Sequence, residues 1–81
     1  MSDRHVLDLI VEHTREVIPE LEDHRFEPSN SLRDLGANSI DRAEIIVMTL
    51  ESLSASIPLV ELADAKNIGE LAGLIHGKSA L

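Results

Sequence analysis

Ser39 is the residue whose type and setting carry the most chemistry in this 81-residue chain. It opens an apolar helical pattern just after a turn, so its hydroxyl is expected at a helix N-terminus, facing solvent. Three uses of a serine there stand open. It can act as a cap, accepting from the unpaired amides of the first helical turn. It can be a nucleophile, which needs an adjacent base and usually an oxyanion hole. No histidine lies near it in sequence, and its neighbours do not form the strained G-x-S-x-G elbow. It can also be a hydroxyl on which another enzyme acts, and the missing base favours that use over catalysis. The chain has no cysteine, so neither a thiolate nucleophile, a disulfide framework nor a thiolate metal site is available. His13 reads as a boundary residue of its helix, because a metal site needs several convergent donors.

The residues around Ser39 supply its positioning. Gly36 allows a sharp turn, since a residue without Cβ enters positive φ at little cost. Asn38 and Ser39 are both good N-cap types. Asp41 and Glu44 follow in the first turn, where carboxylates suit the positive end of the helix dipole. Apolar residues then recur at helical spacing: Ile40, Ala43, Val47 and Leu50 in one row, Ile46, Leu50 and Leu53 in a second. With Ile45 and Met48 added, this helix over 39–52 is apolar on more than one side. Either the stripe is simply well buried, or part of it, Ile45 or Met48, stays exposed and docks a partner. Methionine suits a surface that meets several partners.

The remaining chain predicts helices and no strand period. A first helix, capped by Ser2 or Asp3, runs to Val17 with Val6, Ile10, His13 and Val17 on one face and Leu7, Val11 and Thr14 beside them. Pro19 ends it. Residues 20–38 read as a long loop anchored by Leu21, Phe26, Leu32 and Leu35, with one helical turn over 31–34. A short helix over 58–63 follows Ile57, with Leu59 and Leu62 pointing inward. Asn67 and Glu70 then start a last helix in a capping-box-like pair, with Ile68, Leu71, Ala72, Leu74 and Ile75 on its apolar face. Gly77 is expected just past its end and 78–81 as a frayed tail. The expected whole is all-α: one small domain over 1–81 with a core at about 3–77, and a monomer, since nothing demands a partner subunit.

Composition narrows the partners. A formal net charge of −8 argues against nucleic acid and anionic membranes and for basic surfaces. No apolar run approaches membrane-spanning length, the start MSDRHVLDL lacks a signal-peptide pattern, and the missing cysteines fit a cytoplasmic setting. The lone aromatic residue, Phe26, offers nothing for base stacking.

The run LRDLGANSIDRAEI resembles the phosphopantetheine attachment motif of acyl carrier proteins, in which a leucine–glycine turn leads to a D-S-L or D-S-M triplet opening helix two. The resemblance extends from about Val6 to Gly77 and includes Ile57 and Pro58. It implies a small four-helix bundle of three main helices and one short helix, with a long first loop. It also implies that a phosphopantetheinyl transferase moves 4′-phosphopantetheine from coenzyme A to Ser39, and that the chain is a carrier rather than an enzyme. In such carriers helix two is the usual docking surface, which here implies Asn38, Ile40, Asp41, Arg42, Ile45 and Met48. Asn38 stands where most carrier proteins have aspartate, and Ile40 replaces leucine or methionine. Asparagine still caps a helix, so the change bears on which enzymes recognise the site.

A narrower likeness lies in GANSIDRAEIIVMT and IPLVELADAKNIGEL, which are similar to the freestanding carriers of polyketide β-branching cassettes. That likeness implies a donor of acetyl units to a hydroxymethylglutaryl synthase-like enzyme, with Arg42 helping that enzyme tell donor from acceptor. Other readings are a general fatty-acid or polyketide carrier, a peptidyl carrier of the same fold, and an unmodified helical interaction module in which Ser39 is only a cap.

Overall fold

The computed structural model describes residues 3–79, in which three α-helices form and no strand does. The first, α1 (Asp3–Val17), buries Val6, Ile10 and Thr14. These residues are spaced by four, so they lie one above another along a single row of the helix surface. Thr14, expected beside the apolar face, is instead fully buried in it. Its hydroxyl donates to the Ile10 carbonyl at 2.6 Å, so a polar residue sits in the core without an unmet donor. His13 lies at the rim and bridges to α2 (Ser39–Ser52), with its Nε2 2.9 Å from Ser52 Oγ. A start at Ser2 lies outside the described residues.

Pro19 ends α1 as expected, and it also starts a 3₁₀ turn, Pro19–Leu21, that the sequence did not announce. Of the four expected loop anchors, Leu32 is buried and Phe26 packs against the core, while Leu21 and Leu35 are only half-buried. Ala37 is buried as well. Arg15 ties the loop to α1, its guanidinium 5.1 Å from the Phe26 ring centre and one N–H donating to the His24 carbonyl at 3.2 Å.

α2 buries Ile45, Thr49 and Leu50. Of the row Ile40, Ala43, Val47 and Leu50, only Leu50 is buried, while Ile40 is 74% and Val47 41% exposed. Thr49 hid the true face: its buried hydroxyl donates to the Ile45 carbonyl at 2.9 Å, so its polarity does not mark an outward side. The helix ends in a Schellman motif. The Ala55 amide donates to the Leu50 carbonyl and the Ser54 amide to that of Glu51, with Ser54 in the left-handed region at φ 52°.

The fourth helix of the expected bundle is a single 3₁₀ turn, Leu59–Glu61. Pro58 stays extended (ψ 133°) and stands before the turn rather than in it. Leu62 points inward, whereas Leu59 is 39% exposed. α3 (Ile68–Ser79) buries Ile68, Leu71, Ala72 and Ile75. It continues through Gly77 instead of stopping before it, and Lys78 in its last turn pairs with Glu61 at 2.9 Å. The expected tail residues Ala80 and Leu81 lie outside the described residues.

The first three amides of α3 find acceptors outside the helix. Ile68 N–H donates to the Asn30 carbonyl at 2.9 Å and Gly69 N–H to the Pro28 carbonyl at 2.9 Å. Glu70 N–H donates to the Asn67 side chain at 2.7 Å. Two loop carbonyls thus cap this helix, and the backbones meet so closely that only glycine fits at position 69 without displacement. Both α2 and α3 pack on α1, and among the described residues their contact with each other is slight. The space left between them is a cleft that opens at Ser39. No helix among the described residues is long and apolar enough to cross a membrane.

Candidate functional site

The turn before Ser39 is closed by its own backbone. Leu35 N–H donates to Ser31 O, Gly36 N–H to Arg33 O, and Ala37 N–H to Leu32 O, all at 3.0–3.1 Å. The closing geometry needs a left-handed residue, and Gly36 supplies it at φ 102°. The expected helical turn over 31–34 is this hydrogen-bonded turn, one residue row further on. Leu32 and Ala37, at its two ends, are both buried, so the turn is pinned to the core on either side of its exposed tip.

Asn38 is the cap of α2. Its side-chain oxygen accepts from Asp41 N–H at 2.8 Å, and Asp41 Oδ2 accepts from Asn38 N–H at 3.4 Å, a reciprocal capping box. Ser39 is therefore the first helical residue, relieved of capping duty. Its hydroxyl is exposed and makes no hydrogen bond within the described residues. Arg42, three residues on, is half-buried and donates from one guanidinium nitrogen to the Ala37 carbonyl at 2.8 Å. The box and this bond hold the backbone on both sides of Ser39 while its oxygen stays free.

The other expected docking residues divide. Ile40 is exposed, and Asp41 and Met48 are half-buried. Ile45 is a correction: it is fully buried and belongs to the core row with Thr49, so it offers no surface to a partner. The outward stripe of α2 is instead Ile40, Glu44, Val47 and Glu51, all exposed and spaced at helical intervals.

The cleft beside Ser39 has a volume of about 600 Å³. Its floor includes Leu32, Ile46, Leu62, Ile68 and Leu71, and its rim carries Arg33, Asp34, Arg42 and Lys66. Arg33 and Lys66 stand inside the family-like runs, yet sequence reasoning did not single them out as site residues, since nothing in the sequence brings residues 33 and 66 together. No histidine lines the cleft, and no cluster able to hold a metal ion occurs among the described residues. A free hydroxyl on a rigid backbone, with no histidine in its cleft, is placed to be derivatised by another enzyme.

Comparison with known proteins agrees with this chemistry. Residues 8–75 match the family model described as the phosphopantetheine attachment site. Over 78 residues the chain is 50% identical to the polyketide biosynthesis acyl-carrier-protein AcpK of Bacillus subtilis (strain 168), covering 96% of this chain and 95% of the relative. It also superposes, with a TM-score of 0.93 and 56% identity, on a chain in the crystal structure of the curacin biosynthetic pathway HMG synthase in complex with acetyl donor-ACP. That match covers 96% of this chain and all of the other, so the matched chain is of carrier size. The protein belongs to the phosphopantetheine-attachment family, as an acyl carrier protein. Its prosthetic group is 4′-phosphopantetheine, and the unbonded hydroxyl and adjoining cleft fit a covalent arm of that kind.

Proposed function

We propose that Ser39 is the residue that bears the arm, and that the loaded protein donates acetyl units to a hydroxymethylglutaryl synthase-like enzyme of polyketide β-branching. The observation that supports the tether is the Ser39 hydroxyl, exposed and unbonded at the first position of α2. Support for the donor role comes from the 56% identity to the chain crystallised with an HMG synthase as acetyl donor.

Each residue of the site then has a task. Ser39 Oγ attacks the pantetheine-side phosphorus of coenzyme A when a phosphopantetheinyl transferase acts, forming a phosphodiester as the pyrophosphate bond breaks and adenosine 3′,5′-bisphosphate leaves. The proton leaving that oxygen goes to a base of the transferase. Asn38 and Asp41 hold the start of α2, so the oxygen keeps one position as the transferase approaches. The arm's thiol carries the acyl group as a thioester, and the chain's own residues present it. Partners meet the outward stripe of α2, with Ile40 and Val47 as apolar contacts and Glu44 and Glu51 matching a basic surface. Met48 lies at its edge, and Asn38 distinguishes the approach from that of an aspartate-bearing carrier. Coenzyme A as the source of the arm puts loading in the cytoplasm, and the chain acts there as one monomeric carrier domain.

Intact mass after incubation with coenzyme A and a broad-specificity phosphopantetheinyl transferase tests the tether. Wild type is expected to gain one phosphopantetheine and Ser39→Ala none. A gain on the alanine variant would move the attachment elsewhere. Acetyl transfer from the loaded protein to a hydroxymethylglutaryl synthase-like enzyme then tests the donor role, and failure of that step with intact loading would leave a general polyketide carrier.

A further inference from the structure

The cleft beside Ser39 inverts the charge balance of the chain. Acidic residues outnumber Lys and Arg by 15 to 7 overall. The cleft is nevertheless lined by three cations, Arg33, Arg42 and Lys66, and by a single acid, Asp34. Two of these cations are held in no other interaction: neither Arg33 nor Lys66 makes a side-chain hydrogen bond or ion pair within the described residues. Outside the cleft Lys78 pairs with Glu61 and Arg15 lies over Phe26, while Arg4 and Arg25 are likewise without a side-chain partner among the described residues. What sets Arg33 and Lys66 apart is that they share one cleft with Arg42. Like charges gathered on one rim repel, and an anion placed among them removes that cost.

Arg42 fixes where the anion would sit. Its bond to the Ala37 carbonyl holds the guanidinium at the start of α2, and that neutral acceptor leaves the charge uncompensated. A guanidinium has five N–H donors, so one bond leaves others to give. Ser39 and Arg42 are three residues apart on one helix, a spacing that places side chains side by side, and both line the cleft. A phosphodiester formed on Ser39 Oγ brings a negative charge and two acceptor oxygens into that space, a shape the planar guanidinium matches in pairs.

We propose that Arg42, supported by Arg33 and Lys66, is an anion site for the phosphodiester of the arm. This rests on Ser39 being the attachment residue. Arg42 thus acts inward on the arm rather than outward on a partner. With the phosphodiester held at the mouth of the cleft, the arm leaves Ser39 along the apolar floor instead of directly into solvent.

The test compares apo and loaded forms of wild type, Arg42→Gln and Lys66→Gln, with loading verified by intact mass. Urea unfolding is measured on each form, and side-chain N–H spectra of arginine on wild type. Loading is expected to raise the folding equilibrium constant of wild type about fivefold at low salt, the size of a partly exposed ion pair. That gain should vanish in Arg42→Gln, shrink in Lys66→Gln and fade at 1 M salt, where screening acts within about 3 Å. The Arg42 side-chain signal should move on loading. Because each variant is compared with its own apo form, loss of the Ala37 bond cancels from the difference. An equal gain in wild type and Arg42→Gln would overturn the site and leave the phosphate to the helix amides or to water. Should Arg42→Gln fail to fold, an unmoved Arg42 signal in wild type with a full gain in Lys66→Gln would overturn it equally. A wild type that gains no mass would remove the tether reading and this inference together.

Discussion

Alanine at Gly69 and alanine at Gly73, two sites on one helix, should change stability in opposite directions. A Cβ at position 69 would lie 3.0 Å from both the Cβ and the carbonyl oxygen of Pro28. Carbon atoms normally settle at about 3.5–4.0 Å, so one side must move. Pro28 is not free to do so, because its carbonyl accepts Gly69 N–H at 2.9 Å while Asn30 beside it accepts from Ile68. Retreat of the loop lengthens both bonds, each worth about 1 kcal/mol net. Alanine is favoured over glycine by about 1 kcal/mol inside a helix, but less in the first turn, where residue 69 lies. Gly69→Ala should therefore lose about 1–2 kcal/mol. A Cβ at Gly73 meets nothing within 4 Å, so Gly73→Ala should gain about 1 kcal/mol from propensity alone. The two variants would then differ by about 2–3 kcal/mol, or at least about 8 °C in melting temperature for a domain of this size. Urea unfolding followed by helical circular dichroism measures both, with an unchanged slope showing that the same transition is read. If Gly69→Ala proves as stable as wild type, the loop is not seamed to α3 in the way argued, and the capping of that helix by loop carbonyls fails with it.

Three further contrasts test the site and its frame. Asn38→Ala should lose about 1 kcal/mol by removing the cap, whereas Ser39→Ala, which caps nothing, should stay within about 0.5 kcal/mol of wild type in chemical denaturation. Ile45→Ala should cost about 2–4 kcal/mol as a core truncation, while Ile40→Ala, at a 74% exposed position, should leave the melting curve in place and instead slow acyl transfer to a partner enzyme. Ser54→Gly should raise unfolding stability by about 0.5–1 kcal/mol in urea titration, because glycine relieves the left-handed backbone at φ 52°.

The parts legible in the sequence were those set by local chemistry. Pro19 marked the end of α1, and Asn38 with Asp41 marked the start of α2, because proline and capping side chains act on the backbone beside them. Gly36 announced its turn for the same reason. What escaped depended on distant surroundings. α2 carries two apolar rows, and only packing on α1 decides that the Ile45 row is inside and the Ile40 row outside. Thr14 and Thr49 are fully buried although threonine is polar, since each hydroxyl is satisfied by the carbonyl four residues back. Gly77 read as a stop, yet α3 continues through it to Ser79, with Lys78 in the last turn paired to Glu61. The seam between residues 28–30 and α3 is made of backbone carbonyls, which every residue has, so no residue type announces it. Arg33 and Lys66 are exposed and remote in sequence, and their shared cleft exists only once α2 and α3 stand apart on α1.

That separation of faces bears on how a small acidic carrier serves two kinds of contact at once. The outward stripe of α2 holds Glu44 and Glu51 among Ile40 and Val47, while the cations Arg33, Arg42 and Lys66 face the cleft on the other side of Ser39. On the reading proposed above, a basic partner is drawn to the stripe and an anionic arm to the rim, without the two competing for the same residues. Asn38 sharpens the division. An aspartate there would cap α2 equally well but would set a negative charge beside the residue that is to bear a phosphodiester. With asparagine the cap survives, Asp41 is already engaged by Asn38, and Arg42 donates to the Ala37 carbonyl beside Ser39. Asn38→Asp should then keep stability while weakening the loading-dependent gain in folding that Arg42 confers, measured by the same apo-against-loaded urea comparison. An undiminished gain in that variant would show that the charge at position 38 does not reach the arm.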